Sequence, residues 1–540
     1  MKYGTCMRKR CFFISLLILF SFPLFPRPAP TAEKGDSFIL GTIGEASNLI
    51  PLMATDSPSS LVTKFLYVAL LRYDKDLNIV PWAAKSYEIL DGGLRLRFTL
   101  HPGILWEDGV ELTAEDVAFT YRTMIDPKTP TAYAGDYHVI SSFTVTGKYS
   151  CEIVYAEPFA RSVETWLRKI LPKHILENED LRDTKYARAP VGSGPFRFKE
   201  WQAGSRIVLE ANPRYFLGRP NIDQMIFSVV PDLTTMFLEL KAGAIDMMSL
   251  TPQQYVYQSR ASSVAALYNQ FRALDFSYTY LAYNHDSPLF KDVRVRQAIA
   301  HTIDKKAVIA GALLGQGEAT IGPYTPGSWV YNTHIEEYAN DIEKAQALLA
   351  EAGWKKDANG VLRNARGLPF VFTVMTNQGH EQRIKAAIII QSQLRQLGMD
   401  VSIRTVEWAT FFSQFVNKGY FDAVILGWTI PVDPDLYDVW HSSRMRPQGL
   451  NFMKYGNAEL DALIMQGRRT FDRAERKKIY DAAQEILHRD QPYCFLYVPY
   501  SLPVVHKRFK NVFIAPEGIF HNLDDWWVPK NEQKHSTAIP

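Results

Sequence analysis

Cysteine is scarce in this 540-residue chain: there are four, and two of them, Cys6 and Cys11, fall within the first eleven residues. The remaining pair, Cys151 and Cys494, is too small a set for a structural zinc site. Both stand in strand-like contexts, TVTGKYSCEIVY and PYCFLYV, and read as two separate buried thiols. A charge surplus is also missing. Sixty Lys and Arg against 57 Asp and Glu leave a net +3, which gives no electrostatic reason to expect nucleic acid. Beyond the N-terminal segment no stretch is long and uncharged enough to cross a bilayer.

Signatures of catalysis are lacking as well. No GxxxxGK[ST] cradles a phosphate, no GxGxxG follows a strand, and no GxSxG forms a nucleophile elbow. The twelve histidines include neither HExxH nor HxH, and His101, His285 and His301 stand alone, in surface or structural roles. The acids of EDG at 107–109 and DPD at 433–435 lack the spacing of a calcium loop. No cofactor and no metal is called for. Carboxylates distant in sequence can still meet in space, so an exported hydrolase remains the alternative of a different class.

What is present begins at the N-terminus. Lys2, Arg8, Lys9 and Arg10 precede the apolar run CFFISLLILFSFPLF at 11–25, followed by APTAEKG. This is the pattern of a secretion signal, here placed at 1–32, with a retained N-terminal anchor as the alternative. Cys11 precedes the apolar run, so it is not placed for lipid attachment after signal removal. The composition, 47% hydrophobic and 22% charged, is globular, and the length calls for two or more lobes.

RLRFTL at 95–100 alternates like a half-buried strand. HPGILWEDG then turns the chain, with Trp106 packing, Asp108 forming the turn and Gly109 supplying its backbone conformation. LTAEDVAFTYRTMI predicts a helix with Thr113 as N-cap and Asp116 three residues on, a capping box with Asp in place of the usual Glu. From about 285 helices and strands alternate: DIEKAQALLAEAGW, FVFTVMT, EQRIKAAIIIQSQLRQLG, VSIRTVEW and FDAVILGW argue for an α/β lobe. After FDAVILGW the chain presents TIPVDPDLYDVW, large aromatic surface beside clustered carboxylates. Those residue types can stack on a small solute and read its charge; the plain alternative is an acidic loop that carries aromatics.

LRFTLHPGILWEDGVELTAEDVAFTYRTM at 96–124 resembles the signature of the extracytoplasmic solute-binding proteins of ABC transporters, in the large oligopeptide/dipeptide-binding family (family 5). VGSGPFRFKEW, NPRYFLGRPNID, DVRVRQAIAHTIDKKAVI, DIEKAQALLAEAGW and GWTIPVDPDLYDVW extend the resemblance over nearly the whole mature chain. The resemblance implies an α/β, periplasmic-binding-protein-like two-lobe clamp with an additional subdomain. Lobe I would comprise 36–75, 190–284 and 490–537, the additional subdomain 76–189, and lobe II 285–489. It further implies periplasmic or extracytoplasmic location, a peptide ligand, and hand-over to membrane permease subunits served by separate ATPase subunits, without chemistry on the solute. An oligosaccharide or a nickel chelate is the alternative solute.

In many peptide-binding relatives an aspartate three residues past the loop tryptophan pairs with the peptide ammonium. Three past Trp428 is Pro431 here, so either Asp433 or Asp435 takes that contact, or the ligand lacks the ammonium. Trp408, Tyr283 and Asn284 complete the expected cleft wall, the last two where the chain is expected to change lobe.

Overall fold

Apart from Met1, the computed structural model describes residues 32–131, 133–260, 262–445 and 449–535, so the predicted secretion signal, but for its two end residues, lies outside the described residues. Among these residues no helix is long and apolar enough to cross a membrane. Three large sheets carry the fold. The first has seven strands in the spatial order Tyr268–Gln270, Pro503–His506, Met247–Ser249, Ser37–Thr42, Gln224–Val229, Arg206–Ala211 and Phe196–Gln202. The second is built around Tyr493–Ser501, Ser277–Tyr283, Ala423–Thr429, Val371–Asn377 and Asp400–Val406. A four-stranded antiparallel sheet, Ala84–Leu90, Arg95–Leu100, Ser150–Tyr155 and Ile140–Gly147, forms the additional subdomain.

The local chemistry follows the sequence closely in that subdomain. Leu96, Phe98 and Leu100 point into the core while the intervening residues face outward, as a period of two requires. Trp106 is fully buried, and Asp108 accepts from the Val110 amide (3.1 Å) and lies 2.7 Å from His174 Nε2. Gly109 has φ +96°, a conformation that a side chain would strain. Thr113 and Asp116 form the capping box of helix Ala114–Ile125, and the second Asp116 oxygen accepts from the Lys173 amide at 3.0 Å. Cys151 and Cys494 are free and buried, in different sheets.

In the second sheet Val371–Asn377 runs parallel to both Asp400–Val406 and Ala423–Thr429. Helix Glu381–Arg395 makes the crossover, burying Ala386, Ile390 and Leu394 at a spacing of four on the sheet. Strand alternation divides the two faces: Leu281 and Tyr283 join one core, Tyr278, Tyr280 and Ala282 the other.

The ladders run across the expected lobe boundaries at 284/285 and 489/490. Ser277–Tyr283 pairs with Ala423–Thr429 and with Tyr493–Ser501, so both belong to the second sheet. The chain instead passes between the large sheets at 270–273 and again at 501–503. These passages are paired. Tyr268–Gln270 lies antiparallel to Val504–His506 in the first sheet, and Ala273–Leu274 antiparallel to Tyr500–Ser501 in the second. The Phe271 amide donates to the Pro503 carbonyl (2.9 Å) between them.

Arg508 ties the first sheet to the C-terminal segment. It is 2% exposed, donates through Nε (3.1 Å) and Nη2 (2.7 Å) to Asp246, and contacts Asp36 through Nη1. Arg508→Met would strand two buried carboxylates. We expect it to lower unfolding free energy by about 3–5 kcal/mol in urea titration; a loss below about 1 kcal/mol would mean the carboxylates find other partners.

Candidate functional site

The three parallel strands of the second sheet end at Asn377, Val406 and Thr429; Asn377 and Val406 are level, and the strand Ala423–Thr429 runs three residues further. Solutes of open α/β sheets bind in the crevice beyond such carboxyl ends. Trp428 stands at this edge, opposite Tyr278 in the ladder. Its indole Nε1 donates to Tyr493 Oη at 3.3 Å, and its ring lies near-parallel to Tyr280, 6.5 Å between centroids. Half-buried in this way, Trp428 lines a cavity of about 310 Å3 together with Gly427, Tyr278 and Arg383, while Pro252 contributes from the first lobe.

The other expected wall residues are spread out. Trp408 follows the strand ending at Val406, packs on Phe412 (4.6 Å between centroids) and is 52% exposed. Tyr283 pairs with Ala423 at the far end of the strand, five residues or about 17 Å from the Tyr278–Trp428 level. It is fully buried in the core of the second lobe. Asn284 fixes a turn there, its Nδ2 donating to the carbonyls of Gly419 (3.0 Å) and Phe421 (2.9 Å).

Two charged residues that sequence reasoning passed over line the Trp428 cavity. Arg383 sits in the first turn of helix Glu381–Arg395 and donates through Nη1 to Asn377 Oδ1 (2.9 Å), but its Nε is buried without a hydrogen-bond partner among the described residues. Burial pulls its ionisation down, with Tyr280 and Tyr497 opposing; no acid is among the charges acting on it. Gly427 makes room for it: a Cβ there would meet Arg383 Nη2 at 2.8 Å and the Tyr278 carbonyl at 2.9 Å. That glycine beside Trp428 was the available signal. Asp275 also lines the cavity; it is exposed and accepts from the Phe276 amide (2.9 Å) and Ser277 Oγ (3.0 Å).

The loop acids are engaged elsewhere. Asp433 receives two hydrogen bonds from Arg476 (2.9 and 3.0 Å), and both side chains are 9% exposed. Asp435 is 6% exposed, accepts from the Tyr437 amide (3.0 Å) and lies 3.4 Å from Arg468 Nε. Burial pushes it up to about 6, with Arg468 pulling the other way. A solute ammonium would have to displace Arg476 or Arg468 to reach either carboxylate. The pairs fix the course of the loop from Trp428 to Asp438. Asp438 borders a second cavity, about 390 Å3, whose other walls include Tyr133, Arg161, Glu164 and Arg168 of the additional subdomain.

The subdomain and the second lobe touch beside that cavity. The Ala160 amide donates to the Arg468 carbonyl (2.7 Å), and Arg469 pairs with Glu157 (2.6 Å). The Arg468 guanidinium lies over Phe159 (5.2 Å) and Tyr437 (4.2 Å). Phe471 covers Gly93 so closely that a Cβ there would come within 2.0 Å of its ring. Gly93→Ala therefore opposes this contact without touching the cavities. We expect solute affinity to fall about tenfold, as overpacking at a closed interface implies, and Phe471→Ala in the same chain to restore the part due to that contact, the rest reflecting alanine strained at φ +95°. Failure of the second substitution to restore binding would confine the role of Gly93 to its own subdomain.

Residues 78–448 match the family described as bacterial extracellular solute-binding proteins, family 5 Middle. The oligopeptide-binding protein AppA of Bacillus subtilis is 33% identical over 513 residues, covering 93% of this chain and 94% of that protein. The AppA structure in complex with a nonapeptide superposes with a TM-score of 0.78 at 34% identity, over 92% of this chain and all of that one. NikZ from Campylobacter jejuni, in complex with Ni(L-His), gives 0.79 at 25% identity over 91% of this chain and 99% of its own. The chain belongs to the bacterial extracellular solute-binding proteins of family 5.

Proposed function

We propose that this protein is an exported receptor that captures peptides between its lobes and delivers them to the membrane permease of an ABC importer. Separate ATPase subunits drive transport, and the solute leaves chemically unchanged. The observation that carries this reading is the cavity walled by Trp428 and Arg383 on one lobe and Pro252 on the other. The likeness to AppA, an oligopeptide-binding protein whose structure holds a nonapeptide, supports a peptide over other solutes.

The chemistry of the wall fits a peptide's termini. A guanidinium without an acidic neighbour is suited to a carboxylate, which it can hold through two parallel hydrogen bonds. The N-terminus of helix Glu381–Arg395 adds a favourable dipole at the same place. Asp275, whose exposed carboxylate meets only neutral donors of its own turn, is available to the ammonium. Trp428 offers its face to an apolar or cationic side chain. Asp433 and Asp435 serve by holding the loop rather than by meeting the solute.

Mass spectrometry of what the purified protein releases on denaturation should show peptides; release of sugars or metal chelates alone would overturn the assignment. Arg383→Met should weaken peptides with a free C-terminal carboxylate about tenfold or more and leave C-terminal amides nearly unchanged, as read by calorimetric titration. Equal weakening of both would assign Arg383 to the sheet rather than to the solute.

A further inference from the structure

A third cavity, of about 250 Å3, lies on the seam between the first lobe and the additional subdomain, and none of its walls comes from the second lobe. Its floor is the Trp82 indole, held by a hydrogen bond from Nε1 to Tyr215 Oη (2.9 Å). Lys169 Nζ stands 4.3 Å from the ring centroid and the exposed Arg72 guanidinium 5.8 Å. Of the three cations that line the cavity, Lys64 is taken by Glu517 Oε1 at 2.7 Å. Lys169 has no such partner among the described residues; burial, then the like charge of Lys64, pulls its pKa down to about 7.

Acceptors in the same cavity are also left over. Glu517 Oε2 and His521 Nε2 are buried without a hydrogen-bond partner among the described residues. His521 Nδ1 lies 2.9 Å from the Gly518 carbonyl, which can only accept, so Nδ1 carries the proton and Nε2 presents a lone pair. Asp524, a further wall residue, is pushed up to about 6 by burial, with Arg72 opposing. A carboxylate would satisfy Lys169 and leave the acceptors unmet; an ammonium would do the reverse. A zwitterion meets both. The remaining surface is apolar, supplied by Phe65, Leu71, Leu167 and Leu523. The volume is below the roughly 300–1,000 Å3 of sites for drug-sized ligands.

We propose that this seam cavity is a second binding site, for a free amino acid with an apolar side chain, its carboxylate held by Lys169 and Arg72 and its ammonium by Glu517 and His521. Binding there is independent of the cleft. The bound carboxylate also restores full charge to Lys169, so binding above pH 7 takes up a proton.

Calorimetric titration of the full chain, stripped of solute, with L-leucine, L-leucinamide and N-acetyl-L-leucine tests this. L-leucine is expected to bind, with proton uptake seen as a buffer-dependent heat at pH 8, and the two blocked forms to bind at least about tenfold more weakly. Lys169→Met should weaken L-leucine by a similar factor while leaving peptide binding intact, and Arg383→Met should leave L-leucine binding unchanged. No binding of L-leucine, equal binding of a blocked form, or loss on Arg383→Met with retention on Lys169→Met would each overturn the site. None of these results bears on whether the cleft takes peptides.

Discussion

Among the described residues the chain passes between its two seven-stranded sheets only where two antiparallel segments are already paired, so the lobes are joined by a ribbon and not by loose linkers. A paired ribbon resists sliding and shearing but can twist and bend, which restricts relative motion of the lobes to a hinge. The Trp428 cavity includes Asp275, Pro499 and Tyr500, residues of or beside that ribbon. A solute held there sits near the fulcrum, where a given rotation displaces the walls less than it displaces contacts farther from the hinge. The contacts of Arg468, Arg469 and Phe471 with the additional subdomain then record how far the rotation has gone.

The stiffness of the loop between Trp428 and Asp438 follows from its ion pairs. Breaking a buried pair by removing one partner costs about 3–5 kcal/mol, more than a single solute contact is worth. Asp433 with Arg476, and Asp435 with Arg468, therefore act as anchors that present Trp428 to one cavity and Asp438 to the other. Glu164 across the cleft feels the same charges: burial raises its pKa, and Asp433 raises it further, with Arg161 opposing. The loop thus organises both sides of the second cavity electrostatically.

Local structure was legible wherever neighbours in sequence decide it. The Thr113–Asp116 capping box, the alternation of RLRFTL and the crossover helix with its buried Ala386, Ile390 and Leu394 all follow from spacing alone. The lobe boundaries were not, because YCFLYVPYSLPVVH reads as one strand-rich run although it changes sheet at Ser501–Pro503. The change of pattern after YTYLAYN likewise points to a lobe change at Tyr283 and Asn284, whereas the ladders put the passage at 270–273. The loop acids show the other blind spot. Sequence displays the charge of Asp433 but not Arg476, 43 residues further on, that neutralises it. Arg383 carries the opposite lesson: its own neighbours in sequence do not mark it, the one signal is the distant Gly427, and the lack of an acid beside it among the described residues appears only in three dimensions.

Small-angle X-ray scattering of the solute-free and solute-loaded protein tests the hinge most directly. Rotation about the ribbon predicts a smaller radius of gyration when the native solute is bound. Equal radii, with the solute shown to be bound in both the scattering sample and a parallel titration, would contradict a clamp that closes.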